Sequence, residues 1–174
     1  MEKTELILIF APITVIAVFT LILVKWFLDH EAKKRRQEFL MANSNQLLTQ
    51  RLQAFERFTL FLERISPESL VLREQQKNMN AFQLQSHLLK TIRTEFGHNL
   101  AMQIYLPSDT WEQIKKAREE VSRVINTAST QVPPNVPSFE LGRRIIEDAG
   151  ATANQAVTKA LDKIRKDVDE LGIR

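Results

Sequence analysis

The sequence predicts an all-α protein: one N-terminal transmembrane helix followed by a cytoplasmic body of amphipathic helices, partly coiled-coil-like. Three observations predict it. An uncharged apolar run extends from Leu6 to Val24. Beyond it, apolar residues recur at steps of three and four. The chain holds only 4 Gly and 6 Pro in 174 residues. It is rich in Leu, Gln, Glu, Lys and Arg, straight side chains that lose little freedom in a helix.

The apolar run LILIFAPITVIAVFTLILV carries only Thr14 and Thr20 as polar members. A bilayer core needs about 20 apolar residues as helix, and a span in lipid must satisfy its backbone internally. Residues 6–28 are therefore the expected span, with Pro12 able to kink its outer part. Lys25 is placed to snorkel toward headgroups and Trp26 to sit at the interface. A cleaved secretory signal fits poorly: the leading residues MEKTE are not basic, and no small-x-small site follows the run.

Only Lys3 precedes the span, whereas Lys25, Lys33, Lys34, Arg35 and Arg36 follow it. The bias of basic residues toward the inner face places residues 1–5 outside and the rest in the cytoplasm. The run KKRR has two further readings. Each residue adds about 1 kcal/mol near anionic lipid. A nucleic-acid patch is disfavoured, because so short a distance from the span holds these charges at the headgroups. The expected localisation is a bacterial inner membrane, single-pass.

Residues 29–130 are expected to form a helical stalk and bundle. Asp29 to Ile65 holds no Gly or Pro, and Leu48, Leu52, Phe55, Phe58, Leu62 and Ile65 form one stripe, a candidate packing or partner face. In a heptad register Ser44 and Arg51 interrupt the seam, so a clean coiled coil does not follow. Whether the anchor helix continues into this stalk stays open.

Ser66-Pro67 predicts a cap and a new helix start. That second helical region reaches about Phe96, with a fray near Lys77-Asn78, and Gly97 suits its C-terminus. NLAMQIYLP is compatible with a helical turn, an extended segment or a short strand. Asp109-Thr110-Trp111-Glu112 has the pattern of a capping box. Pro133, Pro134 and Pro137 make residues 131–138 a stiff extended linker. Residues 139–174 are then a C-terminal amphipathic segment, divided near Gly150. Its Ala149, Ala153, Ala156 and Ala160 permit close helix approach, and Asp162 and Lys166 form an i,i+4 pair.

The stretches QRLQAFERFTLFLERISPESLVLR and TEFGHNLAMQIYLPSDTWEQIKKAREEV resemble an uncharacterised family of small single-pass membrane proteins from Bacteroidota-type bacteria. The resemblance covers roughly residues 50–128. It implies a bacterial inner-membrane setting and no activity.

No catalytic constellation is evident. Cysteine is absent, which removes disulfides, thiolate zinc sites and cysteine nucleophiles. There is no phosphate loop, nucleophile elbow or His-Glu-x-x-His. Glu95-Phe-Gly-His98 matches half of a carboxylate-bridged di-metal site, but such a site needs a second copy and two further glutamates. Glu95 and His98 remain a candidate polar cluster, and a helix end is the simpler account. Phe55, Arg57, Phe58, Phe61 and Arg64 interleave aromatics with arginines, yet at helical spacing with Glu56 and Glu63 among them, which favours core over nucleic acid.

The expected function is a membrane-anchored interaction or scaffold protein, not an enzyme, with no cofactor. Its expected partners are membrane lipid and either further copies of itself or subunits of a membrane complex, with no nucleic acid and no small-molecule substrate. The alternatives are an anchored enzyme or metal protein built on Glu95 and His98, and a lipid or nucleic-acid binder built on the basic run.

Overall fold

The structure is a computed structural model that describes the backbone of residues 3–172. Within these it describes the side chains of all but residues 3–15, Ala17, Leu40, 42–45 and 148–150. The described chain is all-helical: α1 (Lys3–Ile65), α2 (Pro67–Glu74), α3 (Ala81–Asn99), a 3-10 turn (Leu100–Tyr105), α4 (Ser108–Thr130), α5 (Ser138–Arg144), a π-helical turn (Ile145–Ala149) and α6 (Gly150–Glu170). It divides into two compact units, residues 1–48 and residues 49–174.

The described residues of the first unit are helical, and the apolar ones from Ile16 to Leu28 follow no stripe. Every large hydrophobic described between Ile16 and Leu28 is exposed, from 48% at Leu23 to 69% at Leu21. The Thr20 hydroxyl donates to the Ile16 carbonyl at 2.8 Å, which satisfies it inside the helix. Among the described residues no helix is long and apolar enough to cross a membrane. The expected span at 6–28 has residues 6–15 and Ala17 outside the residues whose side chains are described.

The second unit has a single hydrophobic core. The last turns of α1 contribute Phe55, Phe58, Phe61, Leu62 and Ile65, all buried. The stripe at steps of three and four is thus this unit's own packing face, while Leu48 and Leu52 are half-buried. From α3 come Leu84, Leu88, Ile92 and Phe96, one residue per turn. From α4 come Ile114, Val121, Val124 and Ile125. The C-terminal helix docks on this body: its most extensive pairing is with α4. Ala117 on α4 and Ala153 and Ala160 on α6 are buried, and small side chains let two backbones approach.

Several local expectations need correction. Pro67 does open α2, but the Ser66 hydroxyl donates back to the Glu63 carbonyl (2.9 Å) and caps nothing. The helical region after it is two helices, not one with a fray. Gly97 does not end α3. It stays in helical conformation, the helix runs to Asn99, and the chain tightens into the 3-10 turn, so NLAMQIYLP is helical in character. Pro107 then precedes α4, which starts at Ser108 with no side-chain cap; Asp109 lies inside the first turn, and its Oδ1 accepts from the Thr110 amide instead. Asp162 pairs with Arg165 (2.8 Å), and Lys166 lies nearest Glu170.

The proline-rich segment is not a free linker. The first helical turn of α3 leaves four backbone donors without intrahelical partners. Two are met by the Asn80–Gln83 capping box, each side chain accepting from the other residue's amide at 2.8 and 3.0 Å. The other two, the amides of Ala81 and Phe82, donate to the carbonyls of Val136 (2.9 Å) and Pro134 (3.2 Å). Asn80 and Pro137 form an isolated antiparallel bridge, and the Ser138 amide donates to the Met79 carbonyl at 3.0 Å. Prolines lack a donor but keep their carbonyls, so such a segment can serve as an acceptor strip.

Candidate functional site

Among the described residues of the second unit lie two closed polar clusters and one open groove. The first joins α4 to α6. The Asp167 carboxylate, 5% exposed, accepts from the buried Thr110 hydroxyl and from Lys163 Nζ at 2.5 Å. The same Nζ reaches Asp109 at 2.7 Å. The hydrogen bonds it donates to Asp109 and then Asp167 raise the Lys163 ammonium above its ordinary range. The hydrogen bond from Lys163 outweighs burial and holds Asp109 below its ordinary value. Every group has a partner, and the arrangement reads as a packing latch.

The second closed cluster ties α1, α2 and α3. Glu95 accepts from Arg73 (3.1 Å) and lies 3.3 Å from Arg64. Glu74 receives Arg73 at 2.8 Å and His87 at 2.7 Å. Burial pushes the Glu74 carboxyl up, but the hydrogen bonds and charges of Arg73 and His87 outweigh it, and the group titrates below the usual range. The expected pairing of Glu95 with His98 is not what the structure brings together: Glu95 faces two arginines, and His98 is exposed. Among the described residues no group of three or more His, Cys, Asp or Glu could hold a metal ion.

The open groove, of about 630 Å³, runs between α3 and α4. Leu89, Ile92 and Phe96 form its floor, and Arg93, Arg118 and Arg123 stand along it. Its placement follows from helical spacing: on α3 the floor residues fall at steps of three and four, and Arg93 follows Ile92 at the edge of that stripe. Phe96 stacks on Trp111 with ring centroids 5.3 Å apart, and Phe58 and Phe61 pack edge-on and tilted behind them. The Arg118 guanidinium lies over the Phe96 ring, 4.3 Å from its centroid. A planar guanidinium so stacked keeps its N–H edges available. Gln85 donates to Asn126 of the lining at 3.0 Å and ties α3 to α4 there.

Arg123 is held by Glu120 at 2.9 Å; that hydrogen bond raises the guanidinium and lowers the carboxyl. Arg118 has Glu119 at 3.3 Å. Among the described residues Arg93 has no hydrogen bond or ion pair. Arg118 and Arg123 were not among the expected site residues. Their signal was faint: arginines beside the apolar steps of α4 read as a solvated face, and only the antiparallel α3 turns them into a wall.

In the first unit the expected topology and lipid residues are all exposed: Lys25, Trp26, Lys33, Lys34, Arg35 and Arg36. Trp26 stacks on His30, and Arg35 pairs with Glu31 at 3.3 Å.

A family of unknown function, DUF7935, matches residues 1–171. The chain belongs to the DUF7935 family. The match takes in both units, well beyond residues 50–128, where the sequence resemblance lay. No curated protein and no solved structure matches the chain. DUF7935 membership brings with it no activity, substrate or site.

Proposed function

We propose that the protein is a single-pass membrane tether: residues 6–28 anchor it in a bacterial inner membrane, and the helical unit 49–174 holds a partner at the cytoplasmic face. One observation carries the reading. Apolar side chains from Ile16 to Leu28 are exposed around the whole helix, not along one stripe. A helix apolar on all sides needs an apolar surround, which lipid supplies. The basic residues from Lys25 to Arg36, against the lone Lys3, support the orientation. A binding role rather than a reaction is supported by the closed state of the polar clusters, whose carboxylates already have partners, and by a groove whose chemistry is that of recognition.

The absence of cysteine makes the test direct. Thr4→Cys in intact spheroplasts is expected to react with a membrane-impermeant maleimide, and Lys77→Cys only after lysis. The reverse pattern, or release of the chain by alkaline carbonate, would refute the anchor. A strict monomer that co-purifies with nothing from native membranes would refute the tether.

A further inference from the structure

We infer that the α3–α4 groove is the partner site and that its occupant is an acidic segment of another protein, a short peptide with spaced carboxylates above apolar side chains. The inference rests on the tether reading for its setting and on the groove's own chemistry for its ligand.

Three features of the groove choose that ligand. First, Arg118 is fixed before any ligand arrives, because Phe96 holds its plane and Trp111 holds Phe96. One N–H of Arg118 already donates to the exposed Glu119 at 3.3 Å, and a carboxylate that meets the remaining donors loses little entropy in ordering the group. Second, Arg93 faces Arg118 from the other wall, exposed and without an ion pair among the described residues. An unneutralised guanidinium beside an apolar floor favours an anion with an apolar side. Third, Glu119 lines the groove and Glu120 holds Arg123 beside it, so the signs alternate along α4. A dense phosphate chain would meet these carboxylates at close range. A peptide whose carboxylates are spaced can set them on the arginines and avoid the glutamates.

The dimensions agree. From Arg118 to Thr127 the α4 wall rises about 14 Å at 1.5 Å per residue, room for two to three turns of a helix or a few extended residues. The groove is open along its length, which suits a segment passing through. Its floor is largely covered already, since Ile92 and Phe96 are buried. Affinity therefore comes from the arginines more than from apolar burial, and it should be sensitive to salt.

The test uses the full chain in its native membranes. A benzophenone amino acid replaces Thr127 at the groove rim, or Lys77 in the distant α2–α3 loop as a control. The expected result is a protein adduct at Thr127 whose cross-linked peptide, read by mass spectrometry, carries two or more Asp or Glu residues. Adduct yield should fall at least about tenfold with Arg93→Glu, the worth of one charge-assisted contact. Arg93→Lys should keep much of it. Adducts with lipid, nucleic acid or a basic segment, or a yield indifferent to Arg93→Glu, overturn the inference. A partner captured from Lys77 but not from Thr127 overturns the groove and leaves the tether standing. No protein adduct at either position overturns both.

Discussion

Asp167 is the residue whose loss should cost the second unit most among its charged groups. It is 5% exposed and serves two donors, the fully buried Thr110 hydroxyl and Lys163 Nζ. Asp167→Ala strands the hydroxyl in a site where water does not reach it. A buried donor left unmet costs about 1–3 kcal/mol. Breaking a fully buried ion pair costs about 3–5 kcal/mol, but Lys163 is about a quarter exposed and keeps Asp109, so it regains water and a partner. The expected total is about 3 kcal/mol. For a unit of this size that is a fall in melting temperature of about 12 °C, at about 4 °C per kcal/mol.

The assay is urea unfolding of the full chain in mild detergent, followed by the fluorescence of Trp111 in a Trp26→Phe background. Thr110→Val removes the hydroxyl and keeps its shape. If the two groups act as argued, Asp167→Ala costs less when Thr110 is already Val, because no orphan donor remains. The coupling should reach at least about 1 kcal/mol. A loss under about 1 kcal/mol for Asp167→Ala, or strict additivity in the double variant, would refute the reasoning.

Acid should weaken the unit in a defined window. Asp109, Glu74 and Glu120 titrate below their ordinary values in the fold. The stability they contribute is present above the unfolded values near pH 4 and is lost as pH falls through the folded ones; Glu74→Gln should flatten this limb in a series of urea midpoints. At the alkaline end the sign reverses. Lys163 is raised, so its contribution holds below about pH 10.4 and is lost only as pH climbs through its folded value; Lys163→Met should remove that limb from the same series. Asn80→Ala removes one half of the capping box and should cost about 1 kcal/mol, with faster hydrogen exchange at the Gln83 amide as the local readout. Replacing Lys33, Lys34, Arg35 and Arg36 with Gln should weaken binding of the chain's residues 29–48 peptide to phosphatidylserine vesicles, by about 1 kcal/mol per residue at low salt.

Much of the fold was legible because helices write their packing into spacing. Phe55, Phe58, Leu62 and Ile65 fall at steps of three and four, and all are buried. The same steps located α4, and the last helical segment, expected from residue 139, starts at Ser138. The break at residues 75–80 was harder to see, since it holds no Gly or Pro. Its signal is Asn80-x-x-Gln83, a capping pattern as readable as the one at Asp109 but passed over. The Asp109 pattern failed because α4 starts one residue earlier, at Ser108: Asp109 sits inside the first turn, where Oδ1 accepts from the Thr110 amide and Oδ2 from Lys163 of α6. Glu95 was legible as polar and not as occupied, because Arg64 and Arg73 lie on other helices.

The proline-rich segment shows why local reading has a limit here. Pro133, Pro134 and Pro137 rightly exclude helix, and from that alone a stiff spacer follows. Exclusion from helix says nothing about where the carbonyls go. α3 begins with amides that need acceptors, and α4 ends close enough to return the chain to that point. A segment unable to spend its carbonyls on its own helix is suited to supply them to another's, and Pro134 and Val136 do so. The same linkage sets the groove. The Asn80–Pro137 bridge pins the start of α3 to the chain leaving α4, and the Gln85–Asn126 bond repeats the tie one turn further along. From there the two helices run antiparallel and bring Arg93 of one opposite Arg118 of the other. The groove wall is therefore a consequence of a cap that contains none of its residues.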